Sequence, residues 1–474
     1  MKKNKKYIVA AFVLAMLCTT TSCKKLVEVG APTNALVTSS VFNNDATAIT
    51  AQLAVYANLE VQLGANFEIP TGLSSDELTN YSTNQFKIDA YTNNLSAVND
   101  GSFNGTWGLF YGYIYQENAI LENVSASVGM SDRVKQLMTG EALFMRAYTY
   151  FQLVNMFGDV PLITQTDYSK NSTLPRTPKD QVYAQMVDDL TKAQGLLSPT
   201  YLDASDNSGV TARVRPTTWA ADALLARVYL YMGKYDLAEQ QASLVIANST
   251  MFSLVTDLNQ VFKINSKEAI WQLTPPTGQL YTNEGRNFIL TTPPPSSSLG
   301  QVAISPQLLN VFEPNDNRRT NWVGSYSQSG TTWYFPYKYK DNNSATSLSE
   351  YSMVLRLAEQ YLIRSEARAQ QGKVIGANSA EPDLNAIRNR AGLPNTTASN
   401  QAQMLSAIAR ERQVELFTEY DRWFDLKRTK AIDATMSIVT PQKGGSGWNS
   451  YQQFYPLEPT DLQLNPNLIQ NPGY

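Results

Sequence analysis

Acid–base chemistry in this sequence would have to be done by carboxylates. None of its 474 residues is a histidine, which removes imidazole bases, His-ligated metals and Ser-His-Asp triads. The two cysteines, Cys18 and Cys23, both lie near the N-terminus. The rest of the chain therefore has no Cys-ligated zinc, thiol–disulfide motif or internal disulfide. Paired carboxylates need no histidine, so glycoside hydrolysis stays open. Glu411, Glu415 and Glu419 share one helical face, and Asp76 and Glu77 are adjacent. Carboxylates four apart on a helix are usually solvated or paired, and Arg412, Arg422, Lys427 and Arg428 are at hand. Ion pairing is the preferred reading of that cluster. Asp316, between Asn315 and Asn317, lacks the glycine and terminal glutamate of a calcium loop and reads as a turn. No metal and no cofactor is expected.

The aromatic residues carry more information. Trp322, Tyr326, Trp333, Tyr334 and Tyr337 lie in polar, turn-rich sequence, as do Tyr81, Phe86 and Tyr91. Exposed flat rings beside Asn, Gln and Asp suit sugars, whose apolar CH faces lie on a ring while planar polar groups take the hydroxyls. The alternative is that these rings fill small cores under the loops. Trp322, Tyr326, Trp333 and Tyr334 are the stacking candidates, with Asn321, Arg318 and Asp76 as polar partners.

These residues need a scaffold, and the apolar periodicity predicts a mostly helical one. Helices are expected over 46–59, 106–126, 133–157 and 179–196. Residues 216–247 read as two helices broken at Gly233 and Lys234. That unit resembles a tetratricopeptide hairpin, and a second pair spans 355–371 and 381–390. Each hairpin has one apolar face and needs a neighbour to bury it. Within 141–162, Glu141 and Arg146 are five apart and need not pair. In 411–428, Val414, Phe417 and Trp423 should face the body, with Asp421, Arg422 and Asp425 in buried or half-buried networks. Residues 250–345 differ in composition, being rich in Pro, Ser, Gly, Asn and aromatics. Short strands are expected near 269–273 and 334–339, and TTPPPSSSLG at 291–300 excludes regular structure.

The N-terminus reads as an address. Lys2, Lys3, Lys5 and Lys6 precede a twelve-residue apolar stretch from Tyr7 to Cys18, then polar residues and Cys23. That is a secretory signal, too short for a spanning helix. Ser22 before Cys23 resembles a bacterial lipoprotein processing site, although Thr20 stands where an aliphatic residue is usual. Lipidation of Cys23 would hold the body at a membrane surface. Removal of 1–22 leaves 34 basic against 41 acidic residues, a formal charge of −7. Such a body gains nothing from an anionic membrane and has no nucleic-acid surface.

Several separated motifs together resemble the SusD/RagB family of outer-membrane nutrient-binding lipoproteins. They are GEALFMRAYTYFQLVNMFGDVPL at 140–162, LRLAEQYLIRSEARAQ at 355–370, DLNAIRNRAGL at 383–393, ERQVELFTEYDRWFDLKR at 411–428 and YPLEPTDLQLNPNLIQNPGY at 455–474. Asp461 departs from the glutamate more usual in that tail. The resemblance implies a mostly α fold, with tetratricopeptide-like helix pairs packed against a loop-rich, partly β-stranded region. It divides the chain into a signal peptide at 1–22, a lipidated tether at 23–40 and one body at 41–474. Within the body it implies a helical core at 41–249 and 350–430, an irregular ligand-binding region at 250–349 and an extended tail at 431–474. It also implies a non-enzymatic protein on the outer face of the outer membrane. That protein would bind oligosaccharide or polysaccharide and act as the lid of a SusC-like TonB-dependent β-barrel transporter. A protein-binding scaffold or adhesion lipoprotein and a glycoside hydrolase are the competing readings.

Overall fold

The computed structural model describes residues 41–97 and 105–474. The signal peptide, the tether and Cys23 lie outside the described residues. The first half of the body is helical: α1 (Asp45–Gln62), α2 (Glu68–Ser74), β1 (Leu78–Asn80), α3 (Gln85–Thr92), α4 (Thr106–Ala126), α5 (Asp132–Phe157), α6 (Lys179–Leu196), α7 (Thr218–Tyr231) and α8 (Tyr235–Ala247). A loop-rich stretch follows with β2 (Ala269–Leu273), β3 (Val302–Ile304), α9 (Asn317–Asn321), β4 (Val323–Gln328), β5 (Thr331–Pro336) and β6 (Ser352–Arg356). The chain then returns to helices in α10 (Leu357–Gln370), α11 (Ala380–Arg390), α12 (Gln401–Glu415), α13 (Asp421–Arg428) and α14 (Ile432–Gln442).

Helix α5 shows why the fold forms. Ser131 caps it by accepting from Val134 N–H, and Gly158, at φ +77°, ends it. Every residue from Gly140 to Phe157 is buried. A helix apolar all round belongs at the centre of a core. Its neighbours α4 and α6 pack on it, α7 packs on α6, and α8 and α10 continue the row. Gly140 lets α5 approach the end of α6, since a Cβ there would stand 3.0 Å from Leu196. The two buried ionic groups of α5 find partners elsewhere: Arg146 pairs with Asp189 at 2.7 Å, and Glu141 pairs with Arg215 at 2.5 Å. Glu141 and Arg146 thus serve different segments, the loop before α7 and helix α6.

Three two-stranded antiparallel sheets make up the β content among the described residues: β1–β3, β2–β6 and β4–β5. Strand β2 forms at 269–273 as the pattern predicts, whereas the second predicted strand lies earlier, at Thr331–Pro336 rather than 334–339. The tail is not extended throughout. It opens with α14 and contains a one-turn helix at Pro459–Leu464. Helix α14 escapes sequence reading because it is rich in β-branched residues and carries Pro441 inside.

A buried ion network fastens the stranded region to the helices. Glu415 at the end of α12 meets Arg318 at 3.0 Å, Arg356 at 2.5 Å and Arg390 at 2.5 Å. Glu411 meets Arg318 at 2.7 Å and Arg388 at 3.2 Å, and Glu419 meets Lys338 and Arg356. Three guanidinium groups hold the Glu415 carboxyl well below the usual range despite its burial. Each of these glutamates is matched by at least two cations, which is the arrangement of a structural ion network.

Candidate functional site

The β4–β5 hairpin turns at Ser329 and Gly330, both at positive φ (+52° and +79°), which matches the twist of the strands it joins. Its register places Tyr326 opposite Trp333 and Gly324 opposite Phe335. Side chains alternate between faces, so these four share one side. A Cβ at Gly324 would stand 2.4 Å from the Phe335 ring, so the close crossing at the hairpin base needs glycine. Towards the tip the two larger rings lie side by side, Tyr326 and Trp333, with centroids 6.4 Å apart and planes at 34°.

The hairpin continues into a second sheet. Strand β5 packs beside β3, which pairs with β1. Just past β1, Tyr81 N–H donates to Gln301 O at 2.9 Å, and the Tyr81 hydroxyl is hydrogen-bonded by Trp333. Tyr91 on α3 follows, its hydroxyl near Tyr81 and bonded to Thr79. Tyr326, Trp333, Tyr81 and Tyr91 are all half-buried, so each offers part of a ring to solvent. Partial burial pushes the phenols of Tyr81 and Tyr91 above their usual value, which keeps both as neutral donors. Polar groups border the strip: Ser82 donates to the Gln301 side chain at 2.8 Å, and Lys87 Nζ donates to Gly300 O at 2.7 Å. The arrangement is a surface of flat rings edged by amides and hydroxyls, suited to sugar rings.

The residues anticipated from sequence separate into two groups. Tyr326, Trp333 and Tyr334 are half-buried on the hairpin. Tyr334 faces the other side, where it packs beside a small core and is covered by the Arg319 guanidinium 4.5 Å from its centroid. Trp322 is a correction: it is 0% exposed, packed with Phe262, Leu308 and Phe417, and its Nε1 donates to Leu258 O at 2.9 Å. Lys338 and Arg390 lie over its ring at 5.1 and 5.6 Å. Arg318 is a second correction, being 0% exposed and bound to Asp316, Glu411 and Glu415. Asp76 is a third, since it is buried and takes a two-pronged pair from Arg422 at 2.7 Å. Neither a buried ring nor a spent charge can meet a ligand in this conformation. Asn321 is half-buried, and its side chain already joins Asn259 and the Asn317 carbonyl. Tyr81 and Tyr91 complete the strip, and only their polar setting marked them in the sequence.

Among the described residues no cluster of ligating side chains could hold a metal ion, and no helix is long and apolar enough to cross a membrane.

Two family models match the chain: one described as "Starch-binding associating with outer membrane" over residues 32–230, and one described as "SusD family" over residues 310–474. A SusD-like protein of Formosa agariphila, P2, is 26% identical over 526 aligned positions that span 99% of this chain and all of the relative. A SusD superfamily protein of Bacteroides vulgatus superposes with a TM-score of 0.76 at 20% identity, covering 91% of this chain and 99% of its own. A laminarin-binding SusD-like protein superposes with a TM-score of 0.75 at 24% identity, covering 91% and 100%.

Proposed function

Because this chain belongs to the SusD/RagB family of outer-membrane nutrient-binding proteins, we propose that it captures oligosaccharide or polysaccharide at the cell surface and passes it to a TonB-dependent β-barrel transporter of the SusC type. It is a binding protein and not an enzyme; Glu411, Glu415 and Glu419, the helical set that sequence offered for acid–base work, are held in ion pairs. The observation that carries the glycan reading is the strip of Tyr326, Trp333 and Tyr81, three half-buried rings joined across two sheets and bordered by amides. The laminarin-binding relative adds support, since a glucan ligand matches such a surface.

Delivery follows from a lid that opens and closes over the barrel. A ligand drives such a change only by binding one state more tightly, so glycan on the strip must gain contacts when the lid shuts. Lipidation at Cys23 would tether the lid at the outer face of the membrane. Calorimetric titration of the chain from residue 24, which holds every described element, tests the glycan step. Saturable heat with one class in a panel of neutral and charged polysaccharides is expected. No binding across the panel, with retention of a β-barrel partner on purification from outer membranes, would favour the scaffold reading.

A further inference from the structure

A cleft of about 550 Å³ opens where the start of α6, the α7–α8 turn and the end of α13 converge. Lys179, Lys234, Lys427 and Lys430 line it, and Asp180 is its one acidic residue. Arg428 also borders it, but its charge is matched by Glu366 at 2.5 Å and Asp425 at 2.7 Å. Among the described residues none of the four lysines forms an ion pair. Lys427 is the half-buried one. Its Nζ donates to the Asn155 carbonyl and otherwise meets aromatic faces, with Phe424 at 5.1 Å and Phe454 at 5.2 Å.

This arrangement is unusual in a body with an excess of acidic residues. Many buried cations of the fold are matched with carboxylates, as Arg318, Arg356 and Arg412 are, and buried Lys443 donates to three backbone carbonyls where Lys427 donates to one. Lysines gathered around one cleft repel each other, and burying one without a counter-charge is costly. Burial and the charge of Lys179 together push the Lys427 ammonium well below its usual value. An anion seated in the cleft would relieve both effects. The remaining walls suit more than a bare ion: Tyr231 and Phe454 present ring surface, and Gln453 and Asn155 present amides. The volume is that of a small-molecule site rather than a protein interface.

We propose that this cleft binds an acidic sugar residue, a uronate or a sulfated hexose, with Lys427 and Lys179 on the anionic group and Tyr231 or Phe454 against the ring. The site is separate from the aromatic strip, none of whose residues lines it. It would let the protein hold charged glycans as well as neutral ones.

The test is titration of the chain from residue 24 with sodium glucuronate, glucose 6-sulfate, glucose and inorganic sulfate at low ionic strength. Saturable binding of both acidic sugars is expected, with none of glucose and weaker binding of inorganic sulfate. Lys427→Met and Lys179→Gln should each weaken the acidic sugars at least tenfold. Lys179 is exposed, so its variant probes the site without disturbing the core. Absence of binding by both acidic sugars would overturn the proposal, as would affinities unchanged in both lysine variants. Inorganic sulfate binding as tightly as glucose 6-sulfate would overturn the assignment to a sugar.

Discussion

Glu60 offers a quantitative test of the fold. It is completely buried on α1. Its carboxyl receives a long hydrogen bond of 3.4 Å from Asn283, has no cation paired to it among the described residues, and lies near the buried Glu284. Burial first, then repulsion from Glu284, pushes it up to about 8 from an ordinary value of 4.5. The folded protein thus keeps a proton that the unfolded chain sheds near its ordinary pKa. The associated stability is fully present in acid and is lost as pH rises, until it levels off above about 8. At pH 7 the loss is about 3 kcal/mol, from roughly 1.4 kcal/mol per tenfold change in proton concentration. Glu60→Gln keeps the shape and an acceptor for Asn283 but has no proton to lose. Urea unfolding of both proteins at pH 5 and pH 7 measures the difference. The variant should gain little at pH 5 and about 2–3 kcal/mol more at pH 7. An equal difference at both pH values would refute the argument.

Three further outcomes follow from the same structure. Glu415→Ala leaves three buried guanidinium groups short of a partner and should cost about 3–5 kcal/mol by chemical denaturation, while Glu122→Ala at the surface should change little. Trp322→Ala removes a fully buried indole and should cost about 3–5 kcal/mol in the same assay, behaving as a core mutation. Gly324→Ala forces a methyl into the Phe335 ring; it should disturb the hairpin and weaken glycan binding severalfold in calorimetry, with a smaller effect on overall stability.

Much of the scaffold was legible from periodicity. Helices at 106–126 and 179–196 form with those bounds, and 133–157 begins one residue earlier, because long amphipathic or apolar stretches with clear stops leave little ambiguity. The aromatic site was legible only in residue type. Trp322 and Trp333 occur in similar polar sequence, yet one is a core residue and the other a surface platform. The Ser329–Gly330 turn signal could have separated them, since Trp333 lies three residues past the hairpin tip and Trp322 lies at its base. The union of Tyr81 with Trp333 could not be read locally, because it depends on β1 and β5 both flanking β3. Arg318 and Asp76 had the chemistry of ligand contacts; Asp316 holds Arg318 locally, but Glu411, Glu415 and Arg422, which complete the claims on them, are distant in sequence.

The hairpin strip is the proposed glycan site. Calorimetry with the glycan that binds best in the panel, on the parent chain and on Trp333→Ala, tests it most directly. Trp333 is half-buried and supports the Tyr81 hydroxyl, so its loss removes one ring and loosens another. Binding should weaken at least about tenfold, roughly 1.4 kcal/mol, with the unfolding midpoint nearly unchanged. Equal affinity in the two proteins would contradict it and move the glycan site elsewhere on the molecule.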